Sequence, residues 1–195
     1  MTYNPKTHRR QSIRLKEYDY SQNGAYFMTI CVQDKKCIFG KIRDGKMILN
    51  TAGKIVEKWW RKLPEYFPNI ELDAFIVMPN HVHAIIVINN ENGMETETPL
   101  VGTQNETGQP QGIAPTNTIG DIAGAFKSLT TNEYINGVKN EKFPSFKKRI
   151  WQRNYHEHII RNEKSWQMIH DYIVLYPETW ANDMFFVEQS FISKK

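Results

Sequence analysis

Two histidines one residue apart, His81 and His83, open the apolar run HVHAIIVI directly after the turn Met78-Pro79-Asn80. Alternate side chains of an extended strand share a face, so both imidazoles point the same way at one end of that strand. Val82, Ala84 and Ile86 point the other way, and both faces beyond the histidines are apolar, as in a central strand. Such a pair is either structural or two of the ligands of one divalent ion. A catalytic metal asks for more, usually a third protein ligand and an open position.

The stretch NYHEHIIRNE supplies candidates. Tyr155 is expected to begin a helix, with His158 three residues on and on the same face. His158 is the candidate third ligand, and Glu157 or an oxygen of the substrate are the alternatives. A tyrosine beside a metal can attack a phosphodiester, leaving a covalent phosphotyrosine and a free 3′-hydroxyl. Free tyrosine titrates near pH 10, so it needs a nearby cation to favour the phenolate, and a metal also polarises the phosphoryl oxygens. Without the histidines, Tyr155 would read as one packing or capping residue among nine tyrosines.

The charge distribution suggests a substrate. The net charge is +4, and it is concentrated in two places. Residues 1–20 carry Lys6, Arg9, Arg10, Arg14 and Lys16, and KFPSFKKRIWQRN carries Lys142, Lys147, Lys148, Arg149 and Arg153 with three aromatic residues between them. Basic groups neutralise phosphates and interleaved rings offer stacking faces to unpaired bases, although either cluster alone also fits a solvated surface. At 195 residues, 24% charged and 40% hydrophobic, the chain has room for one domain with a real core. It has no apolar run of about 18 residues to span a membrane. Its basic start is no secretory signal. Cys31 and Cys37 are expected to stay reduced in a cytoplasm.

The elements that must hold these residues follow from periodicity. The pattern predicts strands over 24–33, 69–80 and 81–90, and a hairpin over 37–50 that turns at Asp44-Gly45. Helices are predicted over 51–67 and 118–136, and a short final strand in RIWQRN. A helix-rich end over 155–180 is interrupted at Pro177, and the polar stretch 91–118 reads as a flexible loop. This order suggests an α+β, ferredoxin-like sandwich: an antiparallel central sheet with helices packed on it and extra C-terminal helices.

VMPNHVHAIIVI, WQRNYHEHIIRNEKSW and YIVLYPETW together resemble the single-strand tyrosine transposases of the HUH class, and within them the REP-associated tyrosine transposases. The likeness runs from SIRLKEYDYSQNGAYFMTICVQ through FKSLTTNEYI to PETWANDMF, nearly the whole chain apart from loop 91–118. The resemblance implies one HUH transposase-like domain over 1–195, with a basic N-terminal segment 1–20 and the loop 91–118. It implies that His81 and His83 bind Mg²⁺ or Mn²⁺ and that Tyr155 is the lone nucleophile. The substrate would be a single-stranded DNA hairpin, a REP-like palindrome with a guide tetranucleotide. The reaction would be transesterification through a 5′-phosphotyrosine.

One departure stands out. In mobile relatives a glutamine four residues past the tyrosine completes the metal site, and here that position is Ile159, which cannot ligate. His158 is the substitute, and its imidazole suits Mn²⁺ better than Mg²⁺. The candidate DNA contacts are Arg9, Arg10, Arg14, Lys127, Lys148, Arg149, Arg153 and Arg161. The protein is expected in the bacterial cytoplasm, on the nucleoid when bound, as a monomer or homodimer. Two other functions fit parts of the pattern: a DNA-hairpin-binding protein with little or no catalysis, and a metallohydrolase with Glu157 as base.

Overall fold

Strand β1 (Gly24–Cys31) is rich in aromatic and β-branched side chains and forms the spine of a four-stranded sheet. The computed structural model describes residues 18–90, 117–140 and 142–187. The other strands are β4 (Ile70–Val77), β5 (His81–Ile88) and β6 (His156–Ile160), in the order β4-β5-β1-β6 with every neighbour antiparallel. Taken in chain order, that is the strand order of a ferredoxin-like sheet. β5 is central, and seven of its eight residues are buried. The hairpin β2 (Gly40–Arg43) and β3 (Lys46–Leu49) turns at Asp44 and Gly45, whose φ angles of 51° and 68° both lie in the left-handed region. That geometry matches the twist of a two-residue hairpin.

Helices α1 (Thr51–Arg61) and α3 (Ile119–Lys139) cover one face of the sheet. Asn50 caps α1 through its side chain, accepting from the Gly53 amide at 2.9 Å, and Thr118 and Asp121 form a capping box on α3. The short helix α2 (Leu63–Tyr66) has Pro64 in its first turn, where a missing N–H is harmless. Trp60 joins the layers: it stacks on Phe75 of β4 at 4.6 Å and meets Phe126 of α3 edge-on at 5.4 Å. The opposite face of the sheet is covered by α4 (Glu163–Thr179), which packs through Ile173, Tyr176 and Pro177.

The C-terminal third departs from the sequence reading. The expected strand in RIWQRN is reduced to a single bridge between Trp151 and Val32. The expected helix from Tyr155 is instead β6, and α4 starts only at Glu163, capped by the Asn162 side chain. The free edge of β1 decides this, because its backbone donors and acceptors need a partner, and along HEHII exposed and half-buried side chains alternate as in an edge strand. Pro177 lies in the last turn of α4 without ending it. Arg9, Arg10 and Arg14 and nearly all of the 91–118 loop lie outside the described residues. Cys31 and Cys37 are not joined in a disulfide, and no helix among the described residues is long and apolar enough to cross a membrane.

Gly53 sits where α1 presses on the chain leading into the hairpin. A Cβ there would lie 2.2 Å from the Phe39 carbonyl oxygen and 2.8 Å from Leu49 Cδ2. Gly53→Ala is therefore expected to lower stability by roughly 1–3 kcal/mol, the usual range for overpacking. Urea unfolding checks this, and an unchanged midpoint would contradict the packing described.

Candidate active site

The turn before β5 is pinned on three sides. The Met78 amide donates to the His81 carbonyl at 2.8 Å, Val32 N–H donates to the Asn80 carbonyl at 2.8 Å, and Phe39 N–H donates to that of Pro79 at 3.1 Å. From this fixed start, β5 directs His81 and His83 onto the α4 face, opposite Cys31 and Thr29 of β1. Their Nε2 atoms converge to 3.1 Å, while the other ring nitrogens are held from behind: His81 Nδ1 by Asn80 Oδ1 and His83 Nδ1 by Thr29 Oγ1, both at 2.8 Å. Imidazole binds a first-row metal at about 2.1 Å, so two such ligands at right angles stand about 3 Å apart. The pair fits two adjacent positions around one ion, with the outer hydrogen bonds that usually orient such ligands.

The proton arrangement can be worked out from the partners. The Asn80 amide donates to the carbonyls of Lys35 and Phe185, so its oxygen faces His81 and His81 carries its proton on Nδ1. His81 Nε2 then accepts from His83 Nε2–H, and His83 Nδ1 accepts from the Thr29 hydroxyl. Freeing both Nε2 lone pairs for a metal only requires the His83 proton to move to Nδ1, where Thr29 can accept it. Burial holds both imidazoles neutral, His81 lowered to about 2, with further help from His83, and His83 to about 3. Neutral imidazole is the ligating form.

The groups around the pair come from α4 and the segment after it. Tyr176 meets His83 edge-on at 4.4 Å and Tyr172 lies 5.4 Å from it. Phe185 covers His81 at 4.8 Å, with Trp180 at 5.8 Å. Asp183 ties this cover down by accepting from the Tyr176 hydroxyl and from Phe185 N–H. The Phe185 carbonyl accepts from Asn80 at 2.8 Å and the Met184 carbonyl from Lys35 at 2.9 Å. His81 and His83 are 0% and 2% exposed under it, whereas Tyr172 is 46% exposed. Burial raises the Tyr172 phenol and Asp183 adds to this, against a hydrogen bond from Tyr176. Tyr176 is raised too, by burial first and then by Asp183.

The sequence-based candidates separate. His81 and His83 come together, and His158 does not join them. It lies exposed on β6 opposite Phe27, while His156 occupies the cross-strand row that runs through Thr29 to His83, two strand spacings or roughly 10 Å away. Among the described residues no three His, Cys, Asp or Glu side chains gather as a metal site. Tyr155 packs against the core on the α1/α3 side, and Glu157, level with Met28 and Ala84, faces that side with its carboxylate oxygens buried. Both therefore stand across the sheet from the histidine pair. Strand alternation is the cause, because a helix would have put Tyr155 and His158 on one face and β6 puts them on opposite faces.

Of the basic candidates, Lys148, Arg149, Arg153 and Arg161 are exposed, and the first three line a groove beside α3. Lys127 does something else. Its ammonium donates to the carbonyls of Gln152, Arg153 and Asn154 at 3.1–3.3 Å and lies 5.2 Å from the Tyr155 ring centre. Burial lowers it to about 8. The residues that sequence reasoning missed are Tyr172, Tyr176, Asp183 and Thr29. Tyr172 and Tyr176 are spaced by four along α4, which was the available signal.

No protein-family model matches the sequence. An uncharacterized protein of Haemophilus influenzae (strain ATCC 51907 / DSM 11121 / KW20 / Rd) is 40% identical over 186 residues, which cover 95% of this chain and 98% of that protein. The chain belongs to that protein's family. Among solved structures, a REP-associated tyrosine transposase bound to a REP hairpin superposes with a TM-score of 0.51 at 19% identity, covering 85% of this chain and 73% of that one. The α+β architecture of the family therefore resembles a transposase fold.

Two predictions follow from this geometry. Below about pH 6.5 the unfolded chain protonates these histidines while the folded chain keeps them neutral down to about 3. Their contribution is thus full above pH 6.5 and is lost as the pH falls, by up to about 1.4 kcal/mol per pH unit for each histidine. A His81→Gln/His83→Gln double variant should show a flatter decline in urea midpoint between neutral and mildly acidic pH, and equal slopes would contradict neutral burial. Phe185→Ala should open the cover and tighten apparent Mn²⁺ binding severalfold, read by paramagnetic broadening of the His81 and His83 ring signals. Unchanged broadening would show that Phe185 does not limit access.

Proposed function

We propose that this protein is a metal-dependent strand transferase acting on single-stranded DNA hairpins of the REP type, with Tyr172 as nucleophile. The observation that carries the reading is an accessible tyrosine ring 5.4 Å from His83, beside two neutral imidazoles whose Nε2 atoms converge. His81 and His83 would hold Mg²⁺ or, more suitably for imidazole, Mn²⁺. When bound, such an ion polarises phosphoryl oxygens and favours the phenolate over the phenol. The likeness in fold to a REP-associated transposase bound to a REP hairpin supports the substrate class.

In this reading the Tyr172 oxygen attacks the scissile phosphorus and the P–O3′ bond breaks. The phenol proton leaves to solvent and the departing 3′ oxygen takes one up. The 5′-phosphate remains esterified to Tyr172 until another 3′-hydroxyl reverses the exchange, so the number of ester bonds is conserved. The exposed Lys148, Arg149, Arg153 and Arg161 would contact the DNA backbone. Tyr172 replaces Tyr155 in this role because Tyr155 packs on the α1/α3 side of the sheet.

A second reading has its own support: a hairpin-binding protein with little catalysis, favoured by the covered histidines and by the lack of a third His, Cys, Asp or Glu ligand among the described residues. One assay separates the two. Labelled hairpin DNA with Mn²⁺ should give a covalent adduct on a denaturing gel that disappears in Tyr172→Phe and His83→Ala and persists in Tyr155→Phe. An adduct lost in Tyr155→Phe alone would restore Tyr155 as nucleophile. Tight binding with no adduct in any variant would establish the second reading.

A further inference from the structure

A cleft of about 120 Å³ opens between the Gln33–Lys35 turn and the loop over residues 144–150. Its inner wall is aromatic and aliphatic, with Phe146 half-buried against Tyr134, the two ring centres 5.8 Å apart. Tyr134 is itself backed by Phe143 at 4.9 Å and anchored by its hydroxyl to the Pro144 carbonyl. Lys36, Lys147 and Arg149 stand exposed on the rim. Rings inside and cations outside match a flat aromatic ligand with negative charge on either side.

The backbone singles out the same place. Among the described residues four that are not glycine have φ in the left-handed region. Asp44 belongs to the hairpin turn; Asp34 at 59° lines this cleft, and Lys35 at 51° and Lys148 at 64° each adjoin residues that line it. Lysine has no local hydrogen bond that favours this conformation. Such residues persist where the surroundings over-determine them, and they cluster at binding sites. Here the walls are tied together by the Gln33 amide donating to the Ile150 carbonyl at 2.6 Å, and Asn80, donating to the Lys35 carbonyl at 3.0 Å, fastens one of them to the turn before β5.

We propose that this cleft binds one unpaired nucleobase of a single-stranded DNA segment, with the flanking phosphates on Lys36, Lys147 and Arg149; the proposal rests on the single-stranded DNA reading above. A paired and stacked base has both faces covered and cannot enter, whereas an unpaired one can stack on an aromatic wall. Asp34 lies at the cleft and accepts hydrogen bonds only, so it suits the exocyclic amino group of cytosine, adenine or guanine and offers nothing to thymine.

The test uses the full chain and a fluorescein-labelled DNA hairpin with a short single-stranded tail, read by anisotropy. An abasic site is moved through the tail one position at a time. One position should weaken binding roughly tenfold, the usual effect of losing one stacked base. Phe146→Leu should weaken binding to intact DNA by a similar factor, lose sensitivity at that position alone, and bind the tail-less hairpin as before. Asp34→Asn, which keeps a residue tolerant of the left-handed backbone, should abolish the preference for cytosine over thymine there. Phe146→Leu with unchanged affinity, or with sensitivity kept at every position, overturns the proposal. If Phe146→Leu fails to fold, Lys36→Ala decides: a loss confined to the tailed DNA supports the cleft, and an equal loss on the tail-less hairpin overturns it. Position-specific binding without a Tyr172 adduct would sink the strand-transfer reading and leave the cleft standing. An adduct without position-specific binding would do the reverse.

Discussion

The side chain of Asn80 holds the candidate site in its present form. Its oxygen fixes the His81 proton on Nδ1, and its two amide protons go to the Lys35 and Phe185 carbonyls. One primary amide thereby sets the tautomer of one of the two converging imidazoles, anchors the turn before β2 and ties down the segment that covers the histidines. Asp would place a second acceptor against two carbonyl oxygens, and Ser or Thr has one proton to give. At 1% exposure the amide must have every partner satisfied, and these bonds use both of its protons and its oxygen.

Around that point the sheet acts as a partition. The row His83–Thr29–His156 and the row Ala84–Met28–Glu157 are one residue apart along the strands and so face opposite sides. The α4 side carries imidazoles, phenols and Asp183, while the α1/α3 side carries the apolar core, Glu157 and Tyr155. The α4 layer therefore holds the groups suited to metal and phosphate chemistry. The α1/α3 layer holds the fold, with Lys127 fastening the segment 152–154 that leads into β6.

What the sequence made legible was what local periodicity carries. The hairpin at Asp44-Gly45, α1, α3, and β5 with its two histidines on one face all have patterns of period 2 or 3.6 or a turn pair with a fixed backbone requirement. β6 was not legible, because a five-residue edge strand is decided by the partner that pairs with it, here β1, more than 100 residues earlier in the chain. Reading it as a helix also placed Tyr155 and His158 on one face, so one misassigned element joined two candidate residues that the strand separates. Tyr172 lies in a helix that was recognised, but only the packing of α4 over β5 brings it beside His83. Adjacency of that kind leaves no trace in spacing along the chain.

The cover over the histidines also sets how a ligand can reach them. Hydrogen bonds to Asn80, Lys35 and Tyr176 hold the segment from Asp183 to Phe185. At about 1 kcal/mol net for each bond, they keep the open form at roughly one molecule in a hundred. A ligand that binds both forms equally leaves that ratio unchanged however tightly it binds. One that reaches the imidazoles only when Phe185 is displaced must prefer the open form by about a hundredfold to balance the two. A metal that His81 and His83 could ligate only by displacing Phe185, whose ring centre lies 4.8 Å from that of His81, would have to meet that requirement. Metal occupancy and displacement of the cover are then two aspects of one equilibrium, and Asn80, which touches both His81 and Phe185, is where they are joined.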